Sequence, residues 1–158
     1  MRKYEISRKT YQIAAKQLLE KAGFMVELLE NGKIIARENS RSLYIDIAGK
    51  YLPYFGENGK PAFLWETHIE AKRLYRAEDA ASKLKCEPWI CFCYCILDDK
   101  FKRDFTDITG VSNRIFGIRL IEVGGYKLNM KPRSANSWDV VEIPREKVLQ
   151  LTKEANNI

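Results

Sequence analysis

The chain has one histidine, His68, in 158 residues. That rules out a zinc site built on a histidine pair and a hydrolytic triad fed by two histidines. Long apolar runs are absent too, since none approaches the roughly 20 residues of a membrane helix. The opening residues, Met-Arg-Lys-Tyr-Glu-Ile-Ser, hold no apolar signal region, so a cytoplasmic protein with no membrane partner is expected. Gly110, Gly124 and Gly125 match no phosphate-loop spacing, which leaves a nucleotide-binding loop unsupported. Only four cysteines occur: Cys86, Cys91, Cys93 and Cys95. The last three alternate along one strand, with successive same-face side chains about 7 Å apart. Tetrahedral zinc with bonds of about 2.3 Å needs its sulfurs much closer. One strand cannot fold back to pair its own same-face neighbours as a disulfide. They read as small buried thiols of a reducing compartment.

What is present is an ordinary globular core, 46% apolar and 11% aromatic. A chain of this length forms one domain, residues 1–158, and buries roughly two thirds of its unfolded surface. Lys and Arg exceed Asp and Glu by 27 to 21, leaving +6 and an isoelectric point near 9.1. That balance favours a polyanion, and nucleic acid is the expected partner.

Ser7 can cap a helix to about Ala22, with Ile6, Ile13, Ala14, Leu18 and Ala22 near its apolar stripe and Gly23 ending it. Residues 24–29, 33–38 and 43–48 read as strands, the first two joined by an Asn31-Gly32 hairpin turn. Residues 49–61 read as a loop. A helix is predicted over 66–84, with Leu74, Ala77, Ala81 and Leu84 at the spacing of a buried face. Residues 89–97 are apolar throughout, as in a central strand covered on both faces. Beyond them, 115–123 and 126–131 form an expected hairpin and 138–143 a short strand. Pro144 opens a last helix.

Within this order the stretch 42–50, Ser-Leu-Tyr-Ile-Asp-Ile-Ala-Gly-Lys, carries the most chemistry. Strand alternation puts Leu43, Ile45 and Ile47 on one face and Tyr44, Asp46 and Ala48 on the other. Asp46 and position 48 are therefore same-face neighbours. A carboxylate and a lysine at that spacing can serve one phosphate through a metal, and position 48 is alanine.

The pieces Gln17-Leu18-Leu19-Glu20-Lys21-Ala22-Gly23-Phe24, Ile34-Ile35-Ala36 and Leu43-Tyr44-Ile45-Asp46-Ile47 resemble the PD-(D/E)xK nucleases, in particular archaeal Holliday-junction resolvases. The resemblance spans residues 7–97. It implies an α/β fold with a restriction-endonuclease-like core, an α-β-β-β-α-β mixed sheet flanked by helices. Residues 98–158 would then be a β-rich extension ending in a helix. It also implies a metal-dependent endonuclease acting on DNA phosphodiesters with Mg²⁺ or Mn²⁺, and a possible homodimer. Asp46 would bind the metal, Glu30 or Glu38 would complete the site, and position 48 would hold the charge-stabilising lysine. Register from Asp46 puts Lys33 where the family has a second-strand aspartate, and the acid often found on the first helix falls near Gln12. A metal neutralises charge and activates water, and it needs carboxylates to hold it.

Three explanations stand for Ala48: an engineered substitution, migration of the lysine to Lys50 if the strand continues through Gly49, or a natural non-catalytic relative. Glu66 on the second helix is a further candidate catalytic carboxylate, whereas His68 beside it reads as a solvated or capping residue. Lys72, Arg73, Arg76, Lys83 and Lys85 are interspersed with acids and read as a solvent-facing helix surface. In the extension Lys127, Asn129, Lys131 and Arg133 alternate on one strand face, followed by a loop with Ser134, Asn136 and Trp138. Lys127, Lys131, Arg133 and Asn136 are the candidate nucleic-acid contacts, set against a plain edge protected by lysines. Two readings of function remain: an endonuclease, or a non-catalytic nucleic-acid-binding module or partner subunit of a DNA-processing complex.

Overall fold

The structure is a computed structural model that describes residues 6–53, 68–124, 140–142 and 149–150. Helix α1 (Arg8–Lys21) begins where the Ser7 side chain accepts from the Thr10 amide at 3.1 Å. It ends where Gly23 takes φ +103°, a conformation that costs glycine little. Its buried face is Tyr11, Ala14, Ala15, Leu18 and Leu19 with Gln12, so the stripe lies about one residue to the side of the expected one.

Strands β1 (Met25–Leu28), β2 (Lys33–Glu38) and β3 (Arg41–Leu52) form an antiparallel meander. The turn between the first two uses Asn31 at φ 62° and Gly32 at φ 77°, as the dipeptide predicts. β3 runs through Gly49 to Leu52 rather than stopping at Ala48. Its neighbour β5 (Glu87–Ile96) pairs with it along that whole length, from Leu43↔Glu87 to Leu52↔Ile96. Between them in sequence lie β4 (His68–Glu70) and α2 (Ala71–Lys83). The helix expected from residue 66 therefore starts at Ala71. His68 belongs to a strand that pairs with β8 (Val140–Glu142), not to a helix start.

β5 sits in the centre of the sheet, parallel to β3 and antiparallel to β7 (Arg114–Glu122). β7 is joined by β6 (Thr109–Val111) and β9 (Leu149–Gln150), giving the order β1-β2-β3-β5-β7-β6 with β9 beside β7. β7 forms a hairpin with the preceding β6 through the Ser112–Asn113 turn; the expected partner, residues 126–131, lies outside the described residues. Leu149–Gln150 is strand, where a helix opening at Pro144 was expected. Together these elements make a mixed α/β architecture with a mixed sheet.

The two faces of the sheet carry separate cores. α1 covers Ile34, Ala36, Leu43, Ile45, Cys91, Cys93, Cys95, Phe116 and Ile118. α2 covers Tyr44, Ala48, Leu52, Ile90, Phe92 and Tyr94 through Leu74, Ala77 and Ala81. The three alternating cysteines share one face. They are free, buried thiols whose ionisation burial opposes, which makes them packing residues and not nucleophiles.

Candidate functional site

β2 begins at Lys33, opposite Asp46, because the Asn31–Gly32 turn ends the ladder there. β3 continues past that point, so from Ile47 onward its outer edge has no β2 neighbour. A cleft of about 700 Å³ opens beside this edge. It is walled by Arg8 and Tyr11 of α1, the Asn31–Lys33 turn, Tyr44, Asp46 and Gly49 of β3, and Glu70, Arg73 and Arg76 at the start of α2. Gly49 is glycine for a steric reason, because a Cβ there would stand 2.3 Å from the Tyr11 ring.

Asp46 is buried on the α2 side, as alternation predicts, with 7% of its side chain exposed. Both carboxylate oxygens are taken by one guanidinium. Arg73 donates from Nε to Oδ2 at 3.1 Å and from Nη2 to Oδ1 at 3.0 Å. The same Nη2 also donates to the Ile47 carbonyl at 2.9 Å. Lys33 Nζ stands 3.9 Å from Oδ1 on the other side. This planar, two-pronged pairing is the geometry in which Arg binds carboxylates most firmly. Nearby, burial and the Asp46 charge both push the Tyr44 phenol up.

The other expected residues that are described are not drawn together around Asp46. Ala48 shares its face but is 1% exposed, packed into the core beneath α2 and closed off from the cleft. Lys50 falls on that same face, since β3 does continue through Gly49, but it does not line the cleft. Glu30 is exposed in the β1–β2 turn and is not a cleft residue. Glu38 lies at the far end of β2, paired with Arg41, and alternates with Ile34 and Ala36 onto the α1 face. Glu66, Lys127, Lys131, Arg133 and Asn136 lie outside the described residues.

The metal implied by the resemblance does not fit this donor set. Mg²⁺ is bound through one or two carboxylates, and cations already placed on a carboxylate repel a dication from it. Here both oxygens of Asp46 face a guanidinium, and a lysine occupies the neighbouring strand position. Among the described residues no group of three His, Cys, Asp or Glu side chains could hold an ion. At the first-helix position Gln12 is buried, and its amide nitrogen donates to the Leu29 and Lys33 carbonyls at 2.8 and 2.9 Å. It clamps the turn that builds the cleft floor and offers no carboxylate.

Arg73 is the residue that sequence reasoning missed. Its mixed-sign helix reads as a solvent face, yet Arg73, Ala77 and Ala80 recur at i, i+4 and i+7 and all line the cleft. Two alanines below an arginine leave room for the guanidinium to lie against the sheet, and that spacing was the available signal.

No protein-family profile and no curated protein matches this sequence. The fold is similar to the solved structure of a Holliday junction resolvase from the archaeal hyperthermophile Archaeoglobus fulgidus, at a TM-score of 0.51 and 12% identity. The match covers 89% of this chain and 96% of that one. At such identity the likeness concerns the path of the chain, and the site must be judged on its own residues.

Proposed function

We propose that this chain is a nucleic-acid-binding protein on a resolvase-like scaffold, in which Asp46 has become the anchor of Arg73 and is no longer a metal ligand. The observation that carries this reading is the two-pronged Asp46–Arg73 pair inside a cleft with surplus positive charge. Among the described residues four basic side chains, Arg8, Lys33, Arg73 and Arg76, line the cleft with two carboxylates, Asp46 and Glu70, a surplus of two positive charges. The overall charge of +6 supports the same partner. DNA is the polyanion favoured, given the fold. Phosphodiester hydrolysis lacks both its second carboxylate and the lysine at position 48 among the described residues, so binding without cleavage is the expected behaviour.

The test pairs a binding measurement with a cleavage assay on duplex and four-way-junction DNA in Mg²⁺ or Mn²⁺. Expected are salt-sensitive binding and uncut DNA. Cleavage that disappears in Asp46→Asn would overturn the reading, as would a thermal stabilisation by millimolar Mg²⁺ that the same substitution removes. Binding that ignores salt would point instead to a protein partner.

A further inference from the structure

Three arginines, Arg8, Arg73 and Arg76, line the cleft, and their bonding is uneven. Among the described residues Arg8 and Arg76 make no ion pair or hydrogen bond, and Arg73 keeps its Nη1 edge uncommitted while Asp46 and Ile47 hold the other edge. The Arg8 stem rests on Gly32, where a Cβ would meet it at 3.4 Å, so its base is fixed by the same turn that carries Lys33. Glu70 also lines the cleft, and among the described residues its carboxylate has no partner.

We infer that this cleft seats the terminal phosphomonoester of a nucleic-acid strand, gripped by Arg8, Arg73 and Arg76. This rests on the nucleic-acid reading above and specifies which part of the polymer the cleft takes. The argument is one of charge and space. A backbone phosphodiester brings a single negative charge, whereas a monoester carries about −1.5 to −2 at neutral pH. The surplus of two positive charges among the described lining residues matches the monoester better than a diester. Guanidiniums suit a terminal phosphate because its three unesterified oxygens accept in several directions. The volume of about 700 Å³ is that of a pocket for one small group with its attached nucleoside, well short of a duplex. Glu70, which no cation in the described structure answers, is placed to accept from a sugar hydroxyl or a base N–H of that last nucleotide. Arg73 cannot turn away from the ligand, since Asp46 holds it; Asp46 is thus a positioning residue for the seat.

The experiment compares one single-stranded oligonucleotide with a 5′-phosphate, a 3′-phosphate or neither, at fixed salt. One phosphorylated form should bind roughly ten- to a hundredfold tighter than the unphosphorylated strand, the range expected for hydrogen bonds between charged groups. That preference should fall as pH drops below about 6, where the second phosphate ionisation is lost. Among the described residues the other charged groups lining the cleft are Lys33, Asp46 and Glu70, so the unphosphorylated strand measured over the same pH range reports their contribution. Arg8→Ala and Arg76→Ala, both exposed positions that should leave folding intact, should each lower the ratio of phosphorylated to unphosphorylated affinity. Equal affinity for all three strands overturns this inference and leaves the nucleic-acid reading standing. No binding of any strand overturns that reading as well. Displacement by a nucleoside monophosphate or by inorganic phosphate as readily as by the oligonucleotide would assign the cleft to a free small phosphate and overturn the polymer source.

Discussion

Removing Arg73 should cost this protein more than removing Asp46, and the difference measures what the cleft does to a buried charge. In Arg73→Ala the carboxylate, 7% exposed in the parent, loses both its guanidinium bonds and keeps Lys33, at 3.9 Å, as its cation among the described residues. Stranding one member of a buried ion pair costs about 3–5 kcal/mol. Lys33 can move closer and Arg73 is itself a third exposed, so the lower end applies, about 3 kcal/mol. For a domain of this size that lowers Tm by roughly 6–12 °C. In Asp46→Ala the released guanidinium can swing into the open cleft and be hydrated, so the loss is about 1–2 kcal/mol. Adding Asp46→Ala to Arg73→Ala removes the stranded charge and should recover about 1–2 kcal/mol, a coupling that chemical denaturation of the four proteins resolves. If Arg73→Ala is as mild as an ordinary surface change, or if Asp46→Ala is the worse of the two, the pair is not the anchor described and the carboxylate is free for another ligand.

Three further outcomes follow from neighbouring contacts. Gly49→Ala places a methyl 2.3 to 2.6 Å from three Tyr11 ring atoms and should cost about 1–3 kcal/mol; combined with Tyr11→Leu it should cost less than the two changes summed. Gln12→Glu sets a carboxylate against the Leu29 and Lys33 carbonyls, and thermal melts should show a loss of about 2–3 kcal/mol at neutral pH. The buried acid would take its folded pKa above the unfolded one, so this penalty grows as pH rises through the unfolded value and is relieved in acid. The Arg41 guanidinium, bonded to Glu87 at 2.7 and 2.9 Å, holds that carboxyl below its ordinary 4.5. The stabilisation is therefore present above pH 4.5 and lost as pH falls through the lowered folded value. Arg41→Ala should cost about 0.2–1 kcal/mol at neutral pH, the range for an exposed pair, and the gap to the parent should close in strong acid when urea midpoints are compared.

The sequence by itself determined the local pieces and one residue of the site. Ser7, Gly23 and Asn31-Gly32 mark boundaries because capping and positive φ are decided by the residue at that spot. The apolar run over 89–97 marks a central strand because a strand covered on both faces tolerates it. Period-two alternation put Asp46 on a buried face, and register placed Lys33 opposite it. Tertiary structure decided everything that depends on which distant face is met. Glu38 looked near Asp46 in sequence and proved to lie on the other side of the sheet, since side chains an odd number of residues from Lys33 point away from it. Arg73 looked like solvent-facing charge and became the partner of Asp46, because α2 packs across β3 only once β5 has been laid parallel beside it. A buried carboxylate must find a donor, but which of the 27 basic residues supplies it is settled by packing, and that choice separates an anchored guanidinium from a metal site.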